Sequence, residues 1–404
     1  MKYLKAIFSL QGFTVFLLVL FSIQYIPVES REGASWLKVI SMGICAAMIV
    51  LHPLKISKAS IYTLSYFLLM LTACLLNPQT FRASTIIYTG LFLVLYCFYY
   101  EKVVISQVFS YDFFVQLLKG FLMAYFICLV IQQCFILVGI VEFPPINLCQ
   151  VLDRGIGANS LSFEPSSAAR TMAVLFLALL RMLELKYNRL PTVNEILLEA
   201  KWPTIGFLWS MITMGSGTAF VALAILSLLF VRKQYLFTLL PMIAILYYVA
   251  PMIDFEPLQR AYNAMNAAMT LDTNVVLKTD GSAATRISPI VNTFVNINFT
   301  DHYTWIGHGL DYISNTYKSI PEQMRHSMIG RIQEFGLPSF MVMQLLVYSC
   351  AIRHFFSIET LIWMFLCGMT FANVSYVWGV ILIFTAVRYF QIESEKETLI
   401  IKND

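Results

Sequence analysis

Residues 83–100 read ASTIIYTGLFLVLYCFYY, a run in which no side chain carries a charge. At 1.5 Å per residue, a helix of this length is about 27 Å long. The hydrocarbon core of a bilayer is roughly 30 Å thick. A helix at the surface of a soluble protein keeps one polar face for water, and this run has none. The stretch therefore predicts a membrane-spanning helix. Residues 117–141, where Lys119 is the only charged side chain, predict another.

The composition of the whole chain favours the same interpretation. Of its 404 residues, 59% are hydrophobic and only 12% are charged, about half the charged share of a soluble domain. The formal net charge is +4 and no basic stripe alternates with aromatic residues, so we expect no nucleic-acid partner. Most of the eight cysteines lie in apolar runs, where a thiol behaves as a small hydrophobic group.

The apolar runs predict an all-α, polytopic helix bundle with about twelve transmembrane helices. We expect one membrane domain that comprises residues 1–404. The spans are placed near 6–26, 36–53, 60–77, 83–100, 117–141, 164–184, 203–215, 217–231, 236–252, 327–351, 357–372 and 375–390.

The orientation follows from the lysine and arginine residues of the short loops, which gather on the cytoplasmic side of membrane proteins. Their distribution predicts that both termini are cytoplasmic and that residues 186–201 form a basic cytoplasmic loop. Two polar stretches then lie on the outer side, near 142–163 and 253–326. The second is the largest polar segment of the chain. Large loops on one face of a scaffold often carry function.

Three short motifs occur in order in the large outer loop and in the span that follows it. They are Arg286 in GSAATRISPIV, then WIGHGL from Trp305 to Leu310, then HSMIGRIQEFGLPSF from His326 to Phe340. This order resembles the catalytic loop of the O-antigen polymerase/ligase superfamily. In that family an early arginine is followed by a hydrophobic-Gly-x-Gly turn and then by a histidine that opens a helix.

The spacing within these motifs also resembles the family. Gly307 and Gly309 fit the turn, and His326, Glu334 and Gly336 fit a His-x7-Glu-x-Gly-Leu pattern. Because helical positions four and seven apart share a face, a helix from 326 would place His326, Gly330 and Gln333 together, with Glu334 alongside. Gly330 would then leave room for a bulky lipid or sugar.

A second resemblance lies earlier in the chain. SFEPSSAAR, from Ser162 to Arg170, is similar to the Phe-Glu-Pro element that opens a helix in Wzy-type exopolysaccharide polymerases. MGSGTAF, from Met214 to Phe220, lies where relatives often have a Thr-x-Ser-Arg-Gly turn, but it lacks the arginine. Arg170 and Arg154 are the candidates to replace that arginine.

The resemblance, which covers roughly residues 160–345, implies a GT-C-like membrane glycosyltransferase. Such an enzyme would work on the periplasmic face of the bacterial inner membrane and polymerise oligosaccharide repeat units carried on undecaprenyl pyrophosphate. Its partners would be the lipid-linked donor and acceptor and the bilayer, with a chain-length regulator as a further candidate. We expect no cofactor. Because the sequence contains no Asp-x-Asp motif, we also expect no metal requirement.

Roles for individual residues follow from the chemistry that this reaction needs. Arginine suits the departing pyrophosphate, because it stays charged and offers two parallel donors to phosphate oxygens. Arg286 is the first candidate, followed by Arg170 and Arg154. The attacking sugar hydroxyl needs a group to accept its proton, and the sequence leaves His326 and Glu164 open as that base.

Two other functions remain as alternatives. An O-antigen ligase of the same superfamily would transfer the finished glycan to lipid A-core, and the Phe-Glu-Pro element favours the polymerase over it. A flippase of the same pathway is the third candidate. Transporters often consist of similar halves with broken helices at mid-membrane, whereas the two halves of this chain differ.

Overall fold

In the computed structural model of the chain, the described residues are 9–23, 36–140, 156–231, 247–254, 293–318, 325–366, 375–403 and scattered positions between 259 and 291. These residues form helices and turns and contain no strand, which confirms the all-α class for this part of the chain. The main helices are α1 (Leu10–Ser22), α2 (Trp36–Leu51), α3 (Lys58–Leu76), α4 (Ala83–Tyr100), α5 (Tyr111–Leu137), α6 (Pro165–Tyr187), α7 (Val193–Thr213), α8 (Gly217–Ser227), α9 (His302–Ile306), α10 (Tyr312–Thr316), α11 (Arg331–Cys350), α12 (Ile358–Leu366) and α13 (Ser375–Asn403).

Among the described residues, four helical segments are long and apolar enough to cross a membrane, namely Lys58–Leu76, Ala83–Ile105, Tyr111–Leu137 and Ser375–Lys396. The second of them is α4 together with a π-helical turn, Glu101–Ile105. Three shorter apolar helices are Leu10–Ser22, Trp36–Leu51 and Gly217–Phe230. These helices support a membrane-embedded protein, and the figure of twelve spans stays a prediction. Most of the predicted span at 236–252 lies outside the described residues.

Helix α6 is the centre of the bundle, since almost every side chain from Pro165 to Leu183 is buried. It packs against α5, α8 and α13, and α13 in turn packs against α1 and α4. Aromatic rings fill these contacts. The rings of Phe176 and Phe207 are stacked with their centroids 4.1 Å apart. In lipid, where helices gain little from leaving water, such close packing is a main source of helix association.

The contacts between helix ends define two ends of the bundle. Helix α4 and α13 run in the same direction, because Phe92 stacks on Trp378 and Tyr96 bonds Thr385 further along both helices. The start of α6 lies beside the start of α13, where Arg170 donates a hydrogen bond to the Tyr376 hydroxyl. We name the end with residues 76–83, 160–170, 301–318, 325–336 and 375–378 the outer end. The inner end holds residues 100–111, 181–195, 350–359 and 388–395. Both names follow the predicted orientation.

The predicted cytoplasmic loop at 186–201 is wrong over most of its length. Helix α6 continues to Tyr187, and α7 begins again at Val193. The restart is a capping box, in which the Thr192 hydroxyl accepts a hydrogen bond from the Glu195 backbone N–H and the Glu195 carboxylate accepts one from the Thr192 N–H. Such a box satisfies two N–H groups that the first turn of a helix leaves unbonded. A tight turn therefore replaces the long loop.

Candidate functional site

The outer loop residues 301–318 and the following residues 325–340 pack together at the outer end, and we name them the loop–helix unit. Helix α9 opens at Asp301, whose carboxylate accepts a hydrogen bond from the Tyr303 N–H at 3.0 Å. The turn Gly307-His308-Gly309 then leads towards α10. Helix α9 and α10 both pack against α11, so the unit joins the loop directly to a helix of the bundle.

Two glycines let the backbones of the loop and of α11 touch. Gly307 and Gly336 both have φ +82°, a conformation that side chains disfavour. A Cβ atom at Gly307 would lie 2.3 Å from the Glu334 carbonyl oxygen, and one at Gly336 would lie 2.2 Å from the Trp305 carbonyl oxygen. The hydrogen bond from the His308 N–H to the Gln333 carbonyl (2.9 Å) is formed at this contact. Any side chain at either glycine would push the two segments apart.

The corner between α3 and α4 packs against the loop of this unit. The Asn77 side-chain amide donates to the carbonyl oxygens of Ala73 (2.8 Å) and Gly307 (3.2 Å). A Cβ atom at Gly309 would lie 2.3 Å from the Thr80 hydroxyl. No sequence motif points to Asn77 or Thr80, which lie at and just after the end of the predicted span 60–77 and about 230 positions before their partners.

An exposed ion pair links the same corner to the start of α10. The Arg82 guanidinium donates to the Asp311 carboxylate, with 2.5 Å between Nε and Oδ2. Asp311 itself has φ +61°, a left-handed conformation that aspartate tolerates better than most residues. The Arg82 side chain is more than half exposed. The pair is therefore screened by water and adds little to the stability of the unit.

His326 lies in a turn before α11, so the predicted helix that starts at this histidine is wrong. Residues 325–330 form turns, in which the Ser327 hydroxyl accepts a hydrogen bond from the Gly330 N–H at 2.8 Å. The half-buried imidazole shares a hydrogen bond of 3.1 Å between Nε2 and the hydroxyl of Ser314. His326 is thus placed by α10 as well as by the turn, and helical spacing does not relate it to Gln333.

Gly330 does not open space for a ligand, contrary to the expectation from sequence. A Cβ atom there would lie 3.1 Å from the Ile313 side chain and 3.2 Å from the Ser327 hydroxyl. The glycine therefore allows close packing between α10 and the start of α11.

Gln333 and Glu334 are both buried in the first turn of α11. Gln333 accepts a hydrogen bond from the Tyr317 hydroxyl at 3.4 Å, and its amide nitrogen has no hydrogen-bond partner among the described residues. Glu334 is 1% exposed and forms an ion pair with Arg331. The Arg331 guanidinium also lies 5.7 Å from the centre of the Phe335 ring. A charge this deeply buried is retained only when it is paired. The buried pair between Glu334 and Arg331 therefore belongs to the interior of the loop–helix unit and has a structural role there.

Four rings form a continuous stack on the loop. The centroid distances along the series His302, Tyr303, His308 and Tyr312 are 4.0, 4.2 and 3.8 Å. Burial lowers the pKa of His308 below its usual value; Asp301 acts against this shift and His302 adds to it. His308 is therefore neutral at neutral pH, and its ring offers one hydrogen-bond donor and one acceptor.

Glu164 and Arg170 form a second group at the start of α6. Glu164 is exposed and occupies the position before the first helical residue, Pro165, where it accepts a hydrogen bond from the Ser166 hydroxyl at 3.3 Å. Arg170 is buried and donates to the Tyr376 hydroxyl at 2.8 Å, with its guanidinium carbon 5.7 Å from the centre of that ring. Arg170 is thus held inside the bundle at its outer end.

The other two arginines that the sequence singles out, Arg154 and Arg286, lie outside the described residues. Within the described part of the chain, no group of three or more His, Cys, Asp or Glu side chains has an arrangement that would hold a metal ion. Independence from metals stays a prediction that chelation can test.

Comparison with known proteins gives no identification. No family model, no curated protein and no solved structure matches this chain. The likeness of the loop–helix unit to the O-antigen polymerase/ligase superfamily therefore remains an interpretation of the sequence, and the functional argument depends on the site itself.

Proposed function

We propose that the chain is a membrane glycosyltransferase that polymerises oligosaccharide repeat units carried on undecaprenyl pyrophosphate, at the periplasmic face of the bacterial inner membrane. One observation supports this proposal most. The residues that the sequence resemblance selects, which are Gly307, Gly309, His326, Glu334 and Gly336, belong to one packed unit at one end of an apolar helix bundle. Gly307 and Gly336, which are 29 positions apart along the chain, meet there in a direct backbone contact.

The proposed reaction moves the growing glycan from one lipid to the next. A hydroxyl of the acceptor sugar attacks the anomeric carbon of the donor glycan, and the new C–O bond replaces the bond to the pyrophosphate. The pyrophosphate leaves on its lipid with the bonding electron pair, and the hydroxyl proton passes to a base. The base is the His326 imidazole or the Glu164 carboxylate, the two side-chain types most often used as general bases.

A buried arginine suits the leaving group. The Arg170 guanidinium offers a planar set of N–H donors that suits phosphate oxygens, and its hydrogen bond to Tyr376 orients it. In the low-dielectric surroundings of the bundle, its attraction for an anion is stronger than in water. Arg286, the first candidate from the sequence, is the other arginine proposed for this task.

Complementation of a polymerase-null strain tests the proposal. Wild-type chain, His326→Ala, Glu164→Ala and Arg286→Ala are expressed, and the surface glycan is separated as a ladder on a gel. His52→Ala is the matched control, because His52 is exposed beside the inner end of α3. We expect a full ladder with wild type and the control, and single repeat units with the Arg286 variant and with at least one base variant at equal membrane levels.

The same experiment separates the alternatives. A chain that acts as a ligase would not restore the ladder in a polymerase-null strain, and its own loss would leave no repeat unit attached to lipid A-core. If wild type restores the ladder and all three variants match it, the assignment of the site is wrong. Addition of EDTA to membranes tests metal independence, which fails if polymerisation stops and a divalent ion restores it.

A further inference from the structure

The outer loop carries a group of large apolar side chains that are exposed, and we name Phe294, Val295, Phe299 and Trp305 the outer apolar patch. Their exposed fractions are 62%, 75%, 65% and 47%. Soluble surfaces rarely expose four large apolar side chains within twelve residues of chain unless something covers them. We therefore expect the patch to be covered, by lipid or by another molecule.

Hydrogen bonds fix the turn that carries Phe299 and Trp305. The Trp305 indole N–H donates to the Phe299 carbonyl oxygen at 3.1 Å, and the Thr304 hydroxyl donates to the Asn298 carbonyl oxygen at 2.7 Å. Phe294 and Val295 lie in the short helical segment that ends at residue 296, just before this turn. The exposed rings thus belong to one built surface next to α9.

The patch continues the apolar outer surface of α3. Trp305 is two residues from Gly307, whose carbonyl oxygen accepts the hydrogen bond from Asn77 at the end of α3. Immediately before Asn77, Leu75 and Leu76 are both more than half exposed. Phe81, which follows the residue packed on Gly309, is also exposed. In a membrane-spanning helix, exposed leucines of this kind face lipid.

We propose that the outer apolar patch docks on the outer leaflet of the bilayer, with the rings of Phe294, Phe299 and Trp305 in the interfacial region. The proposal rests on the membrane embedding of α3, which is part of the proposed function. Tryptophan is enriched at this depth, because its ring is apolar and its N–H is polar. Continuity with the lipid-facing leucines of α3 favours lipid over a protein partner as the occupant.

Docking would give the loop–helix unit a fixed height above the membrane. The same unit holds His326 through Ser314 of α10. A substrate whose pyrophosphate lies at the headgroup level would then reach the imidazole while its hydrocarbon chain stays in the bilayer. The patch is thus inferred to be a lipid-contacting rim of the candidate site.

Site-directed spin labels in liposomes test the docking. The native cysteines are replaced by alanine, and single variants Phe294→Cys, Phe299→Cys, Asn315→Cys and Leu68→Cys carry a nitroxide. Asn315 is an exposed polar residue of α10 in the same unit, and Leu68 is an exposed residue of α3. The measured quantity is the ratio of the accessibility of each label to oxygen, which dissolves in lipid, over that to a water-soluble nickel chelate.

We expect ratios at 294 and 299 that are severalfold higher than the ratio at 315 and approach the ratio at 68. Docking is refuted if the label at 299 matches that at 315 while the label at 68 reports lipid. It is also refuted in favour of a protein cover if labels at 294 and 299 are shielded from both reagents. A label at 68 that reports water would instead refute the membrane embedding of α3, and with it the membrane part of the proposed function.

Discussion

At the outer end of the bundle two backbones touch at glycines, whereas at the inner end long charged side chains join the helices. The outer contact between Gly307 and Gly336 has no room for a single added carbon atom. At the inner end, Arg181 of α6 holds Glu359 of α12 through two hydrogen bonds, of 2.6 and 3.0 Å, and also bonds Glu184 at 2.6 Å.

The inner end also holds a polar cleft. A cavity of about 290 Å³ lies among the ends of α6, α12 and α13, and polar side chains line it. Arg353 and Glu395 form a further ion pair across it. Long side chains can adjust when a neighbour changes, but packed backbones cannot. We infer that the outer end keeps the candidate site rigid, whereas the inner end tolerates variation.

The largest effect is expected for Gly336→Ala. The new Cβ would collide with the Trp305 carbonyl oxygen, and φ +82° with ψ 159° belongs to a region that is almost restricted to glycine. We expect a loss of about 3 kcal/mol or more in the stability of the loop–helix unit, together with loss of glycan polymerisation. Limited proteolysis of the outer loop and the glycan ladder measure the two effects.

Gly120→Ala is the matched control for this variant. Gly120 lies within α5, and a Cβ atom there meets nothing within 4 Å. Because alanine is favoured over glycine in a helix by about 1 kcal/mol, this change should leave both measurements unaffected or slightly improved. Wild-type behaviour of Gly336→Ala would contradict the idea that the outer end is rigid.

The next largest effect is expected for Arg181→Met at the inner end. The side chains of Arg181 and Glu359 are only 15% and 11% exposed. Removing Arg181 leaves the Glu359 carboxylate without its ion-pair partner. Because both side chains line a polar cleft that water can enter, we expect a cost of roughly 1–3 kcal/mol, below that of Gly336→Ala. We expect a lower midpoint of thermal unfolding in detergent, with normal polymerisation once membrane levels are matched.

The double variant Arg181→Met/Glu359→Leu sharpens this prediction. With both charges gone, apolar packing replaces the pair, and much of the lost stability should return. Lys186→Ala, which breaks the largely exposed pair with Glu199, should cost less than about 1 kcal/mol. If the double variant is less stable than the single variant, apolar packing cannot replace this ion pair. The idea that the inner end adjusts to substitutions is then contradicted.

A smaller effect is expected for Asn77→Ala, which removes the link between α3 and the loop. The Gly307 carbonyl oxygen would lose a hydrogen bond in a buried position, at a cost of roughly 1–3 kcal/mol. Amide hydrogen exchange in residues 301–318 should become faster, and polymerisation should fall without vanishing. Asn315→Ala serves as the control, since its side chain is exposed. Unchanged exchange in Asn77→Ala would show that the glycine contacts alone hold the loop.

The fold follows from the sequence more directly than the site does. The apolar run at 83–100 predicts α4 with the bounds that the structure has, because length and composition decide whether a helix can span lipid. The resemblance selects Gly307 and Gly336, but their contact partners are carbonyl oxygens, which leave no trace in a sequence. The distant Asn77 was missed for the same reason.

The misplaced start of α11 has a local cause. The resemblance implies a helix that opens at His326, yet the Ser327 hydroxyl accepts a hydrogen bond from the Gly330 N–H in a turn instead. Serine side chains often compete with the helix in this way by bonding nearby backbone groups. The resulting position of His326 depends on Ser314, which belongs to another helix. No spacing rule within one segment contains that information.

The smallest expected effect concerns acid at the inner end. The hydrogen bond from Arg189, followed by the bond from the Thr192 N–H, lowers the pKa of Glu195 to about 2. In the unfolded chain this pKa is about 4.3. Because the folded-state value is the lower one, the stabilisation is complete above about pH 4.3 and is lost as the pH falls towards 2. We expect amide exchange in the first turn of α7 to accelerate, relative to the unfolded rate, within this window.

Glu195→Gln isolates the contribution of that carboxylate. Glu199 lies on the same helix and also has a lowered pKa, because of its hydrogen bond with Lys186, so some acid response remains in this variant. We expect the first turn of α7 in Glu195→Gln to show faster exchange than wild type at neutral pH and a smaller change on acidification. An acid response equal to that of wild type would assign the effect to Glu199. In that case the acid response of the inner end would come more from the Lys186–Glu199 ion pair between α6 and α7 than from the capping box at Thr192.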